Sequence, residues 1–373
     1  MATFASLLLV LVSVKRGYRI GIVTRWGAAC GISLHGELIA RALLSMGHEV
    51  RVYAPTLETA GRDWHHVLIE GDPPWVQRVY GEVDEVEYPE GGYFRRPSDW
   101  DENDVIIVEG YHRLPWRALE PHVREVKRRG TATILVVHYA FPRDLEPVLE
   151  DPSLWDVVAV FDERFVGMVE RVAGKRARVE IVPYPYMVLE VDYADRPSYA
   201  EGKVLLFSFG RQPPHEYVDY LRGIARLVKR KYPLVYRVVR SLGTIGYQAD
   251  WLVVEHRKLS VKELYSALKG ADIHLIPKWD HPGIVVSSTL AQVLYAGVAT
   301  IVPDTRYFET IPDGLEESGP VIKYRLGDVT DLVSRLELLI KDEGLRRELG
   351  RRAKRYAWER RAEVVAEKLL SSI

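Results

Sequence analysis

One cysteine, one asparagine and four glutamines occur among 373 residues. Cys30 alone can close no internal disulfide and belongs to no CxxC pair, so a disulfide scaffold is excluded and a reducing interior is the simpler setting. So few amides beside abundant Arg and Glu is a composition expected of a heat-adapted protein. An excess of either charge is also missing: 51 Lys and Arg face 52 Asp and Glu, a net charge of -1. That balance gives no overall pull toward nucleic acid or an anionic membrane, and no nucleic-acid partner is expected. P-loop, HExxH and GxSxG patterns are absent as well. The one D-x-D, in PSDWDEND, stands in a polar loop before a strand, which reads as loop solvation. A metal-independent site without a resident cofactor is expected.

No apolar run reaches the roughly 18 to 20 residues of a membrane-spanning helix. The longest, ATFASLLLVLVSV at 2–14, is shorter, and it lacks the basic leader and small-residue cleavage pattern of a secretory signal. Three readings of this extension, 1–16, stay open: a peripheral membrane contact with Lys15 and Arg16 at the interface, a capping element, or an upstream addition. The last is preferred, because the strand that follows needs nothing before it. The expected location is cytoplasmic, with membrane association tied to the first reading.

What is present is a repeated grammar. Hydrophobic content of 47% and charged content of 28% suit a globular chain, and its length exceeds what one core usually fills. YRIGIVT (18–24), a glycine turn, a helix through LHGELIARALLSMG (34–47) and HEVRVYAP form a βαβ unit, hence a parallel sheet with right-handed crossovers. Between Thr56 and Trp100 the pattern loosens into expected irregular connections. DVIIVEG, ATILVVHYAF, WDVVAVFD and RVEIVPYP resume it, and 187–202 loses it again as a linker. KVLLFSFGR, VYRVVRS, WLVVEH, DIHLIP, VATIVPD and PVIKY then repeat the scheme with helices between them. The fold class is therefore α/β, with two Rossmann-like parallel-sheet domains facing a cleft, at 17–186 and 203–357. The basic residues of the helical end, RRELGRRAKRYAWERR, are offset by Glu and read as a solvated face.

Ligands of open parallel sheets bind at the carboxyl ends of the strands. In the first domain that rule selects the turn GAACGISLHG with Gly31, His138, Glu109 and Asp162, the last two read mainly as helix caps. In the second it selects Gly210 and Arg211 after LLFSFG, Trp279 to His281, and the start of the helix in IVVSSTLAQVLYAG. One cap there does not account for three hydroxyls, Ser287, Ser288 and Thr289. Hydroxyls and free amides at a positive helix end suit an anion, and Arg211 adds a permanent cation. Gln292 lies four residues after Ser288, on the same helix face, where it could meet a ribose hydroxyl.

With these residues in place the chain resembles the retaining glycosyltransferases of the GT-B fold, family 4 (glycosyl transferases group 1). Four segments carry the likeness in order: CGISLHGELIARALLSMGHEVRVYAP, ELYSALKGADIHLIP, TLAQVLYAGVATIVPD and YAWERRAEVVAEKLL. The resemblance implies transfer of a sugar, of hexosyl type, from a nucleotide-diphosphate donor to a hydroxyl acceptor with retained configuration. The donor is a substrate; the acceptor is a sugar, a lipid or a small molecule. Gly31 would lie in the loop facing sugar and phosphate, and His138 beside the transferred sugar. Arg211, Gly210 and the 287–289 segment would meet the diphosphate, and Gln292 the ribose. Residues 358–373 would form a helix packing back on the first domain. The chain departs from the pattern at His215 to Tyr217, where a lysine is usual, and at Ile284 and Gln292, where glutamates are usual. Those departures keep a second reading open, a catalytically impaired GT-B protein acting as a binding or scaffold subunit. A nucleotide-sugar 2-epimerase of the same fold is disfavoured by the four segments.

Overall fold

The computed structural model describes residues 17–59, 71–84 and 91–373, so the expectations for 1–16 lie outside it. The first sheet has seven parallel strands: β1 (Arg19–Val23), β2 (Glu49–Pro55), β3 (Val76–Tyr80), β4 (Val105–Gly110), β5 (Ala132–Val137), β6 (Val157–Val160) and β7 (Val179–Ile181), in the order β3-β2-β1-β4-β5-β6-β7. The central strands are apolar from end to end because helices cover both faces; β4 is buried at all six positions. The covering helices are α1 (Gly31–Ser45), α2 (Trp116–Arg128), the short α3 (Pro142–Leu145) and α4 (Glu163–Ala173).

The second sheet is also parallel, in the order β10-β9-β8-β11-β12-β13. Its strands are β8 (Val204–Gly210), β9 (Leu234–Arg240), β10 (Leu252–His256), β11 (Ile273–Leu275), β12 (Ala299–Pro303) and β13 (Ile322–Tyr324). Helices α5 (Val218–Lys229), α6 (Val261–Gly270), α7 (Ser288–Val293), α8 (Val329–Lys341), α9 (Glu343–Trp358) and α10 (Ala362–Ser371) complete the chain. Ser260 and Glu263 close a reciprocal cap that fixes where α6 begins. In both sheets the strand order reverses direction beside the first strand of the domain, β1 or β8. That reversal opens a crevice at the carboxyl edge.

Three sequence expectations need correction. The loose region before Trp100 contains β3, an edge strand whose VQRVY is only half-buried and so lacks the continuous apolar run of its neighbours. The helix after the three hydroxyls is shorter than its apolar pattern suggests: α7 ends at Val293, a tighter turn follows over Leu294–Ala296, and Gly297 closes it at φ 72°. The terminal helix starts at Ala362, because Arg361 is extended and bridges to Tyr186. Helix α10 then packs against α1 of the first domain.

Candidate functional site

The glycine turn after β1 is held by its own helix. Glu37 accepts from the Gly27 amide at 3.2 Å and from the Ser33 hydroxyl at 3.0 Å, while Ser33 Oγ accepts from the Ala28 amide at 3.0 Å. Cys30 caps α1, its sulfur accepting from the Ser33 amide at 3.5 Å. Below the turn, Arg25 and Glu82 form a buried two-point ion pair at 2.5 and 3.2 Å, and Tyr111 donates to the same carboxylate at 2.8 Å. Breaking such a pair from one side costs about 3 to 5 kcal/mol, so the floor of the turn is rigid.

At the ends of β4 and β5 stands a group that single positions did not reveal. Glu109, fully buried, takes His35 Nδ1 on one oxygen at 2.7 Å and His138 Nε2 on the other. Burial alone would raise the Glu109 carboxyl, but His35 and then His138 outweigh it and hold it below the usual carboxylate range. Burial also lowers His138, against the opposing pull of Glu109. An ionised carboxylate can only accept, so each ring donates to Glu109, and a neutral His138 is left with Nδ1 as an acceptor. Glu109 is thus no helix cap. His35 gave one signal in the sequence, a polar residue among the apolar buried positions of α1.

The three donor atoms of His35, Glu109 and His138 lie within 4.8 Å of one another, and imidazole with carboxylate is a donor set that zinc or iron accepts. Both imidazoles already engage opposite oxygens of one carboxylate, however. A shared ion would require that carboxylate to turn and both hydrogen bonds to break.

From this group contacts run to the second domain. The His35 and His138 rings are 5.1 Å apart, and His35 stands 5.3 Å from the ring of Tyr184. Tyr184 donates to the Gly31 carbonyl at 2.5 Å. Gly31 itself faces Ser288, whose Cβ would lie 3.0 Å from a side chain there. Arg211 reaches over from β8 and donates to the Ala29 carbonyl at 2.6 Å. The turn that launches it is possible because Gly210 has φ 116°, a region unfavourable for any residue with a Cβ.

His138, Gly31, Ser288 and Arg211 are therefore brought together at the domain boundary. Ser287 is the cap of α7, its hydroxyl accepting from the Leu290 amide at 3.2 Å, so that group is committed. Ser288 and Thr289 are partly buried beside it, and the Gln292 side chain has no hydrogen-bond partner among the described residues, although the Gln292 backbone carbonyl accepts from the Tyr265 hydroxyl at 2.8 Å. Asp162 does cap α4, and in doing so it aims Arg164 across the boundary onto the Val285 carbonyl at 3.0 Å and the Arg306 carbonyl at 2.8 Å. In the D-x-D segment, Asp99 accepts from Gln77 and Asp101 pairs with Arg96 and Arg129, so both carboxylates serve the local loop.

Lys278 escaped the sequence reading, and Glu216 entered it only as one of the residues standing where a lysine is usual. Lys278 follows β11, partly buried, with its ammonium 4.5 Å from the centre of the Tyr307 ring. Glu216 lies in the turn before α5, where one carboxylate oxygen is buried without a partner. The rings of their neighbours His215 and Trp279 meet at 4.8 Å.

No protein-family model matches the chain. Among solved structures it is similar to sucrose-phosphate synthase from Thermosynechococcus elongatus, with a TM-score of 0.64 and 11% identity over 95% of this chain and 98% of that one. The trehalose-6-phosphate synthase OtsA gives 0.64 and 12% over 95% and 98%. Anabaena HepE, solved in complex with UDP-glucose, gives 0.62 and 11% over 95% and 100%. These likenesses establish the two-domain GT-B fold. None of the helices among the described residues is long and apolar enough to cross a membrane.

Proposed function

We propose that the protein is a glycosyltransferase that moves a hexosyl group from a nucleotide-diphosphate sugar to a hydroxyl of a sugar, lipid or small-molecule acceptor, with retention, in the manner of family 4. The observation that carries this reading is the reach of Arg211 from the carboxyl end of β8 to Ala29 in the glycine turn of the other domain. It puts a permanent cation on the same glycine turn whose Gly31 faces Ser288, where the two sheets' carboxyl edges meet.

Each group then has a task. Arg211 would stabilise the charge that develops on the leaving diphosphate, as a fixed guanidinium does without reorganisation. Gly210 gives it the backbone turn it needs, and Ser288, Thr289 and the amides around Ser287 would share the phosphate oxygens. His138, with Nε2 held by Glu109, would accept from a sugar hydroxyl at Nδ1 and orient the ring. Gln292 would accept a ribose hydroxyl through its amide carbonyl. Closure of the boundary would exclude water and limit hydrolysis of the donor.

UDP-glucose in the HepE structure makes the UDP sugars the first donors to test. A screen of UDP, GDP and ADP sugars for release of the nucleoside diphosphate tests the reading, and NMR of the product anomer tests retention. A second reading, a GT-B protein that binds nucleotide without transfer, rests on Ile284 and Gln292, which leave these two positions without a carboxylate. It predicts nucleotide binding with no turnover of any donor.

A further inference from the structure

A polar cavity of about 760 Å³ lies between α5 and the start of α8, lined by Arg222, Arg226, Arg325, Gly327, Asp328 and Thr330. It follows β13, which stands three strands along the sheet from β8, roughly 14 Å at ordinary strand spacing from the strand that carries Arg211. Three guanidiniums and one carboxylate line it. Asp328 is already engaged: its Oδ1 accepts from the Thr330 and Asp331 amides at 3.0 Å each, and its Oδ2 stays 3.7 Å from Arg325. The positive charge therefore comes from side chains and not from the helix start. Arg222 has no hydrogen bond or ion pair among the described residues, and Arg226 only donates to the Thr330 hydroxyl at 3.3 Å. Neighbouring arginines are neutralised, Arg335 by Asp331 at 3.0 Å and Arg352 by Glu348 at 2.9 Å. The backbone that presents Arg325 is fixed, because its amide donates to Asp331 at 2.9 Å and the Gly327 amide donates to the buried Asp219 at 2.8 Å. A preformed cleft lined mainly by one sign of charge concentrates the opposite ion.

We propose that this cavity binds the phosphate group of a small phosphorylated molecule, at a site apart from the domain boundary and whether or not the protein transfers sugars. A phosphate offers three terminal oxygens to two planar guanidinium forks, whereas the two oxygens of a carboxylate match a single fork. Arg222 and Arg226, four residues apart on one face of α5, supply one wall, and Arg325 the other. Thr330, whose oxygen already accepts from Arg226, keeps its hydroxyl proton for a phosphate oxygen. The volume suits a ligand larger than a bare ion. The rest of that ligand would lie over Gly327, where nothing stands within 4 Å of a Cβ position.

The test is calorimetric titration of the full chain with ribose 5-phosphate and pyrophosphate, with sulfate as the comparison anion, repeated with Arg222→Gln, Arg325→Gln and Arg211→Ala. The parent should bind at least one of the two phosphate compounds. Affinity should weaken about tenfold or more in Arg222→Gln and in Arg325→Gln, and stay unchanged in Arg211→Ala. Without ligand, Arg222→Gln should melt no lower than the parent, since Arg222 has no partner to lose. A parent that binds neither compound overturns the site, as does binding that either glutamine variant leaves unchanged. Sulfate bound as tightly as the phosphates overturns it too, by showing an adventitious ion only. Binding lost in Arg211→Ala would place the phosphate at the domain boundary, which overturns this site and leaves the donor-site reading standing.

Discussion

Gly31 and Ser288 touch across the domain boundary: a Cβ at Gly31 would come within 3.0 Å of the Ser288 Cβ and 3.1 Å of its hydroxyl. The first residue of α1 and the first of α7 are thus packed start to start, so that even a Cβ at Gly31 would press on Ser288 and a branched side chain would have to push it away. Gly31→Val should hold the two domains apart. Turnover should fall about tenfold or more, because closure is what aligns the reacting groups, while affinity for the nucleotide changes little. Steady-state kinetics beside calorimetry separates the two effects. Equal loss in both would show that the contact serves folding instead.

Glu109→Gln replaces the carboxylate by an amide that can satisfy only one imidazole as acceptor. His138 would then lose its fixed tautomer, and the rate of transfer should drop by about a hundredfold or more with nucleotide affinity retained. The pH-rate profile should change shape as well. A variant that keeps the parent's rate would remove His138 Nδ1 from the proposed role.

Arg164 ties Asp162 of the first domain to the Val285 and Arg306 carbonyls and Glu309 of the second. Arg164→Ala leaves those carbonyls to water and should lower stability by about 1 to 3 kcal/mol in a denaturant titration. The loop from Lys278 to Ser287 should also exchange its amide protons faster.

His274 gives a pH signature that is independent of the site. It is buried on β11 with its Nδ1 unpartnered, and burial pushes its pKa down to about 3. The folded protein therefore resists protonation that the unfolded chain accepts near the ordinary histidine value of about 6.5. The neutral ring leaves stability intact above that value, and stability falls as pH drops toward 3, by at most about 1.4 kcal/mol per unit. His274→Leu should flatten this part of the acid denaturation curve, and an unchanged curve would contradict the assignment.

Most of the architecture was legible because parallel strands covered on both faces are written as apolar runs, as in VIIVEG and ATILVV. Strand β3 was not, since an edge strand with Gln77 and Arg78 set side by side between its two valines carries half the signal. Strand ends pointed to Arg211, His138 and Gly31 because position along a parallel strand already implies proximity to the crevice. They did not reveal His35, Glu216 or Lys278 as partners. Those residues gain meaning only from a neighbour distant in sequence: Glu109 is 74 residues from His35 and 29 from His138. Nor could the sequence separate the three hydroxyls, of which Ser287 turned out to cap α7 while Ser288 meets Gly31.

The central claim is that the boundary between the sheets binds the diphosphate of a nucleotide sugar through Arg211. Calorimetric titration of the parent and Arg211→Ala with UDP, GDP and ADP at millimolar concentration tests it most directly. The account predicts binding of at least one nucleotide by the parent, weakened by about tenfold or more in the variant. Equal binding by both proteins, or none by the parent, would contradict it.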